Sequence, residues 1–181
     1  MEGYPVMDSL FAYRHAVMQI RVNDSWIEHA EEHAQKLKDF KGGVKTSNWD
    51  IAQRVGEIAV RFFLHKVGAT KQIGGIESGR RPTLPTTKHN MVVGVSCPPA
   101  DERWNTGSNA GLSVFKRYVG EASLYIAALY DPPFVDFLGW ADVQAILTQS
   151  EDQRGRIKIP AMELRTMAEL IKVLSMKKEG E

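Results

Sequence analysis

The chain has little cysteine, no long apolar run and almost no net charge, and each absence excludes a class of protein. Among its 181 residues Cys97 is the single cysteine, so one chain forms neither an internal disulfide nor a cysteine zinc site. No apolar segment approaches the roughly 20 residues of a membrane span. The N-terminus lacks the basic start and apolar centre of a signal peptide. We therefore expect a cytoplasmic protein without membrane contact.

The formal net charge of +1 excludes a bulk polycation, so any contact with nucleic acid requires a local basic patch. A glycine-rich phosphate loop is also missing, because Gly74-Gly75 lacks the further glycines and the lysine of such a loop. Strands and helices do not alternate regularly along the chain. A kinase or a dehydrogenase is therefore not expected.

The patterns that are present predict one domain over residues 1–181, with an N-terminal strand and helix over 1–45 and a core over 46–177. Capping-box spacings at Ser25/Glu28 and Ser47/Asp50 start two helices that end near Gly42 and Gly68. Alternating or continuous apolar runs predict the strands, and helical spacing predicts two more helices. The predicted strands are Met18–Val22, Met91–Cys97, Leu124–Tyr130, Phe134–Leu138 and Ile157–Ile159; the further helices are Ala141–Thr148 and Met162–Lys177.

The stretch over residues 70–90 is rich in glycine, proline and threonine, which predicts a long loop or an irregular edge hairpin. Residues 100–111 also have the composition of a loop.

The order of the predicted helices and strands indicates the fold class. It is α/β of the α+β kind, with a single mixed central sheet flanked by helices.

Several short segments of this core resemble one family. Gly56-Glu57-Ile58-Ala59 and Leu64-His65-Lys66-Val67-Gly68 are similar to the first helix of restriction-endonuclease-like (PD-(D/E)XK) proteins, and His89–Val95 resembles a strand of uncharacterised phage members. The strand Leu124–Tyr130, the segment Phe137–Ala141 and Ile159-Pro160 before Glu163-Leu164 are similar to the same proteins. The resemblance covers roughly residues 48–175 and implies a restriction-endonuclease-like fold.

The resemblance implies a metal-dependent phosphodiesterase, in which carboxylates hold Mg²⁺ and a lysine stabilises the developing charge. Glu57 matches the helix glutamate of the family. The acidic position of the strand falls near Gly94, however, and the lysine position is Ser96. Neither residue replaces the original group, since glycine offers no ligand and a serine hydroxyl is neutral.

Two replacements are conceivable. Lys88 could reach in from the start of the strand with His89 as a base, or Asp101 or Glu102 could supply the carboxylate from the following loop. The catalytic candidates are then Glu57, Lys88 and His89, and the metal candidates Glu57 and Asp101. Each has a structural alternative: Glu57 pairs with Arg54 or Arg61, and Lys88 and His89 are solvated at a strand start.

Four further residues are candidates for binding nucleic acid: Lys71, Arg80 and Arg81 for the phosphates, and Trp104 for stacking on a base. A solvated basic loop and an aromatic lid on the core are their structural alternatives. Cys97 has the character of a small buried hydrophobe rather than of a nucleophile.

One competing motif points to different chemistry. His29-Ala30-Glu31-Glu32-His33 fits the H-x-x-E-H pattern of inverted zinc peptidases, which places two imidazoles one helical turn apart. The predicted helix is short and charged, so two histidines on a solvated face are the favoured interpretation.

The sequence thus favours a phage-type, nuclease-like protein with a degraded catalytic motif that binds DNA or a host protein, as an inhibitor or accessory factor. The alternative is an active Mg²⁺-dependent DNA endonuclease with relocated catalytic residues. No cofactor is required unless the protein is active, and a homodimer is possible.

Overall fold

The computed structural model describes residues 18–40, 48–69, 83–85, 91–100 and 110–175. Within them, the chain forms helices and strands, which are named here in sequence order. They are β1 (Met18–Arg21), α1 (Asp24–Phe40), α2 (Asn48–Lys66), β2 (Thr83–Pro85), β3 (Val92–Ser96), β4 (Gly111–Phe115), a 3₁₀ helix (Lys116–Glu121), β5 (Leu124–Asp131), β6 (Phe134–Asp142), α3 (Val143–Leu147), β7 (Arg156–Pro160), a 3₁₀ turn (Ala161–Glu163) and α4 (Met167–Ser175).

The main sheet is mixed and has the strand order β1-β6-β5-β3-β2. β3 and β5 are parallel, and the other neighbours are antiparallel. The α+β class is therefore confirmed. β2 pairs with β3 at the edge, and β1 brings the N-terminal segment into the same sheet. The rest of the stretch over residues 70–90 lies outside the described residues, so its prediction as a loop or an edge hairpin stays a prediction.

The prediction of a single sheet is wrong, because β4 and β7 form a second, two-stranded antiparallel sheet. The sequence does not predict β4, and a single sheet would place β7 in the main sheet. β7 buries Ile157 and Ile159 on one side and turns Arg156 and Lys158 to the other. Because one of its faces is polar, it suits an outer layer, whereas a central strand is apolar on both faces.

The main sheet is covered on both faces, which explains why its middle strands are apolar throughout. On β5, Leu124, Ile126 and Ala128 belong to a core shared with α2, while Tyr125 and Ala127 belong to a second core shared with β4 and β7. Successive strand residues point to opposite faces, so each side of β5 contributes to a different core. The molecule is thus layered as helices, main sheet and small sheet.

Three helix boundaries differ from the sequence-based ones because other residues supply the caps. α1 begins at Asp24, and the Asn23 side chain accepts the Trp26 N–H at 3.0 Å, so Asn23 replaces Ser25 as the cap. α3 begins at Val143, where Asp142 caps the helix by accepting the Ala145 N–H.

α4 begins at Met167 rather than at Met162. The Thr166 N–H donates to the Glu169 carboxylate at 2.7 Å, and the Glu169 N–H donates to the Thr166 hydroxyl at 3.3 Å. This reciprocal pair is a capping box. Residues 162–166 therefore lead into the helix without belonging to it.

Gly139 sits at a β-bulge that changes which residues of β6 face the helices. Ala127 lies opposite Gly139 and Ala128 opposite Phe137, which leaves Leu138 as the extra residue. Phe137 and Trp140 therefore share the helix-side core although they are three positions apart. Gly139 has φ 147°, and a Cβ there would lie 2.6 Å from the Arg165 carbonyl oxygen. Only glycine fits this position without distortion.

We expect Gly139→Ala to lower the free energy of unfolding by about 2 kcal/mol or more, because it adds backbone strain and a steric clash. Urea denaturation followed by circular dichroism measures the change. Gly120→Ala is the matched control, since a Cβ at Gly120 meets nothing within 4 Å, and its effect should stay within about 0.5 kcal/mol. Equal effects in the two variants would contradict the role assigned to the bulge.

Candidate functional site

Glu57 is the candidate site residue that falls within the described residues. The other candidates lie outside them, so their positions relative to Glu57 stay predictions: Lys71, Arg80, Arg81, Lys88, His89, Asp101 and Trp104. What can be built from the structure is therefore the surroundings of Glu57 and of the strand β3 beside it.

Both carboxylate oxygens of Glu57 are engaged by neighbours on its own helix. Oε2 accepts a hydrogen bond from Arg54 Nη1 at 2.9 Å, and Oε1 accepts one from Gln53 Nε2 at 3.2 Å. The side chains of Arg54 and Glu57 are 4% and 12% exposed, so the ion pair is largely removed from water. Arg54 is one of the two partners that the structural alternative named for Glu57. A carboxylate held in this way neutralises a buried guanidinium.

Gln53 links this pair to the end of β3. Its Nε2 donates to the Val95 carbonyl at 3.0 Å, and its Oε1 accepts the Cys97 N–H at 3.0 Å. The side-chain amide thereby satisfies backbone groups at the point where the strand leaves the sheet. Gln53 was not identified from the sequence, since an uncharged amide on a helix gives no chemical signal by itself.

The approach of α2 to this strand end depends on Gly56. A Cβ at Gly56 would lie 2.2 Å from the Cβ of Cys97, so a larger residue would push the helix away from the strand. Gly56 thus allows α2 to contact the end of β3, and Glu57, in the same helical turn, is the charge partner of Arg54. Both residues stabilise the packing of α2 against β3.

Gly94 and Ser96, the strand positions of the family's acid and lysine, lie on the opposite face of the sheet from Glu57. Val93 and Val95 belong to the helix-side core, so the residues between and after them point toward β4 and β7. The Ser96 hydroxyl donates to the Ser113 carbonyl at 3.2 Å. These positions and the helix glutamate therefore do not converge on one site.

The space beside Gly94 is filled by an aromatic ring. Gly94 and Tyr125 are register partners in the parallel pair β3–β5, and a Cβ at Gly94 would lie 2.3 Å from the ring. The Tyr125 hydroxyl donates to the Tyr118 carbonyl at 2.6 Å, which fixes the ring in place. A carboxylate at this strand position would have no room.

The surroundings of Glu57 do not fit a divalent cation. The described residues contain no group of three or more His, Cys, Asp or Glu side chains placed to hold a metal ion. Glu57 brings one carboxylate whose oxygens are already occupied, and the guanidinium bonded to it repels a cation. Mg²⁺ needs one or two available carboxylates to anchor it.

The zinc alternative on α1 is likewise not supported by its surroundings. His29 is exposed, while His33 is half-buried against α2. Burial lowers the pKa of His33, and the Arg54 charge lowers it further. The same positive field that disfavours imidazolium disfavours a bound cation. Within the described residues, Ala30 and Ala34 are buried and form the packing stripe of this helix.

Cys97 is fully buried in the helix-side core, as expected for a small hydrophobe. Burial raises the pKa of its thiol well above the ordinary value, and the nearby Glu57 carboxylate raises it further. The thiolate, which is the reactive form, is therefore disfavoured in the folded protein.

We expect the native protein to be unreactive toward an aromatic disulfide reagent at mildly alkaline pH, and to react with one equivalent after unfolding in guanidinium chloride. Because Cys97 is the single cysteine, the absorbance change reports on this residue alone. Free cysteine added to the folded protein serves as the control. Reaction at the same rate before and after unfolding would contradict the burial of this thiol.

Comparison with protein-family models, with curated proteins and with solved structures finds no match to this chain. Among the described helices, none combines the length and the apolar character needed to cross a membrane.

Proposed function

We propose that this chain is a nuclease-like protein that acts by binding DNA and does not cleave it. The observation that carries the proposal is the filled position at Gly94, where the Tyr125 ring occupies the space that a metal-binding carboxylate requires. The engagement of Glu57 by Arg54 and Gln53 supports the same conclusion, because the family's helix glutamate serves here as an internal partner.

DNA is the favoured partner because the sequence supplies groups that suit it. Lys71, Arg80 and Arg81 provide positive charge for phosphates, and Trp104 provides a ring for a base. Such contacts need neither a metal ion nor a catalytic base. A phage-type protein of this kind would act as an accessory factor or an inhibitor by occupying its target.

The test uses the full chain with supercoiled plasmid and with single-stranded DNA, in Mg²⁺ and separately in Mn²⁺. We expect no cleavage with either metal and DNA binding that weakens as salt is raised, because released counterions make phosphate binding salt-dependent. Cleavage that is lost in Glu57→Gln, with folding retained, would establish the alternative of an active endonuclease. Absence of DNA binding at low salt would overturn the proposal and leave a host protein as the partner to seek.

A further inference from the structure

One group of described residues, none of them named as a candidate from the sequence, combines arginines with aromatic rings. The guanidinium of Arg156 lies 4.5 Å from the centre of the Phe115 ring, and that of Arg117 lies 5.3 Å from the same ring. Arg117 is also 4.6 Å from the Tyr118 ring, which meets Phe115 edge-on with centres 6.1 Å apart. We call Phe115, Arg117, Tyr118 and Arg156 the cation–aromatic cluster.

The scaffold holds this cluster in place from two sides. Phe115 and Arg156 are register partners in the β4–β7 pair, so ring and guanidinium are neighbours on the same face. The Tyr118 carbonyl accepts the hydrogen bond from the core residue Tyr125, which anchors the 3₁₀ helix to the main sheet. The rings and arginines are therefore ordered before any partner binds, which reduces the entropic cost of binding.

The two described segments that carry the cluster, 111–121 and 151–160, are predominantly positive. Lys116, Arg154 and Lys158 are exposed beside it, which gives five cationic residues in the segments 111–121 and 151–160. Three carboxylates in the same segments oppose them: Glu121, Glu151 and Asp152. The local excess of cations is what a chain of overall charge near zero needs in order to hold a polyanion.

Two of these carboxylates are committed to neighbouring groups. Glu151 lies 3.3 Å from the Lys116 ammonium. Asp152 accepts the backbone N–H groups of Arg156 and Arg154, and these bonds lower the pKa of its carboxyl. The Asp152 carboxylate is therefore hydrogen-bonded within its own turn. The guanidinium groups of Arg117 and Arg156 lie against the aromatic rings of the cluster.

We propose that the cation–aromatic cluster binds single-stranded nucleic acid. Guanidinium N–H groups bind phosphates in a forked geometry while their planar faces remain on the rings. The rings of Phe115 and Tyr118 hold the exposed Arg117 guanidinium, and an unpaired base stacks on the outer face of its plane, a contact that bases inside a duplex cannot make. This inference rests on the proposed DNA binding and assigns it to described residues that are not among the candidates named from the sequence.

Fluorescence anisotropy with a labelled oligothymidylate, and with a duplex of the same length, tests the assignment on the full chain. We expect the single strand to bind more tightly than the duplex. Arg117→Ala and Phe115→Leu should each weaken single-strand binding by about tenfold, consistent with the loss of one phosphate or stacking contact. Arg117→Ala should also reduce the steepness of the plot of log affinity against log salt concentration by about one. Arg21→Ala removes an exposed arginine from β1, which belongs to the main sheet and not to the β4–β7 sheet that carries the cluster, and should leave affinity unchanged.

The possible outcomes separate this inference from the function on which it rests. Wild-type binding that neither variant changes would overturn the cluster as the site while DNA binding stands. Tighter binding of the duplex would overturn the single-strand assignment. Absence of binding by the wild-type chain would overturn both. Arg117 is exposed, so Arg117→Ala keeps the test decisive even if Phe115→Leu lowers stability; circular dichroism verifies that each variant is folded.

Discussion

Replacing Gly94 with aspartate, an acidic residue of the kind that the resemblance to restriction-endonuclease-like proteins leads one to expect near this position, should destabilise the protein by at least about 3 kcal/mol and should create no nuclease. The added Cβ would lie 2.3 Å from the Tyr125 ring, and the carboxylate would enter a buried apolar layer. Overpacking costs about 1–3 kcal/mol, and an unpaired buried carboxylate adds to that cost. Urea denaturation measures the loss.

Gly94→Ala separates the steric part from the charge, since it adds the Cβ alone. A double-mutant cycle with Tyr125→Ala then tests whether the ring is the obstacle. We expect Gly94→Ala to be less costly in the Tyr125→Ala background, because that substitution empties the space beside β3. If Gly94→Asp retained wild-type stability, the claim that the Tyr125 ring fills the space beside Gly94 would be wrong. The observation on which the proposed function depends would then be lost.

Glu57→Ala should lower the free energy of unfolding by about 3 kcal/mol, since it removes one side of a buried ion pair and leaves the other charge in a low-dielectric environment. The Arg54 guanidinium is 4% exposed and would lose the carboxylate that lies 2.9 Å away. The link through Gln53 to the end of β3 would be weakened at the same time. Thermal and urea unfolding measure this change.

Two variants show whether the loss comes from the charge pair. Glu57→Gln keeps an oxygen acceptor and should be less harmful than Glu57→Ala. Replacing both partners with apolar residues, as Arg54→Met with Glu57→Leu, should recover most of the stability, because no buried charge is then left behind. Glu32→Ala removes an exposed glutamate from α1 and should change stability by less than about 0.5 kcal/mol. A Glu57→Ala variant as stable as Glu32→Ala would contradict the structural role.

The strands of the main sheet were predictable where apolar content and turn residues agree. β3 and β5 are apolar on both faces, and Asp131-Pro132-Pro133 forces a turn between β5 and β6. β4 was missed because its five residues contain two inward apolar positions and begin with a glycine. The bulge at Gly139 was also hidden, since the strict alternation assumed for a strand has no place for an extra residue.

The site was predictable only at the level of single residues. The pairing of Arg54 with Glu57 follows from three-residue spacing on a helix. The role of Gly94 depends on its register with Tyr125 in a parallel strand pair, and that register is set by contacts distant in the sequence. The cation–aromatic cluster likewise joins β4 to β7 across more than thirty positions, so periodicity within either segment does not reveal it.

The most direct test of the central claim is thermal unfolding of the full chain with and without millimolar Mn²⁺. A cation that binds the folded state and not the unfolded chain raises the unfolding temperature, and the rise grows with the logarithm of the cation concentration relative to its dissociation constant. Because the Glu57 carboxylate is committed to Arg54 and Gln53, we predict no shift in the wild-type protein. A rise in unfolding temperature that disappears in Glu57→Gln would show that this carboxylate holds a metal ion, and would contradict the account.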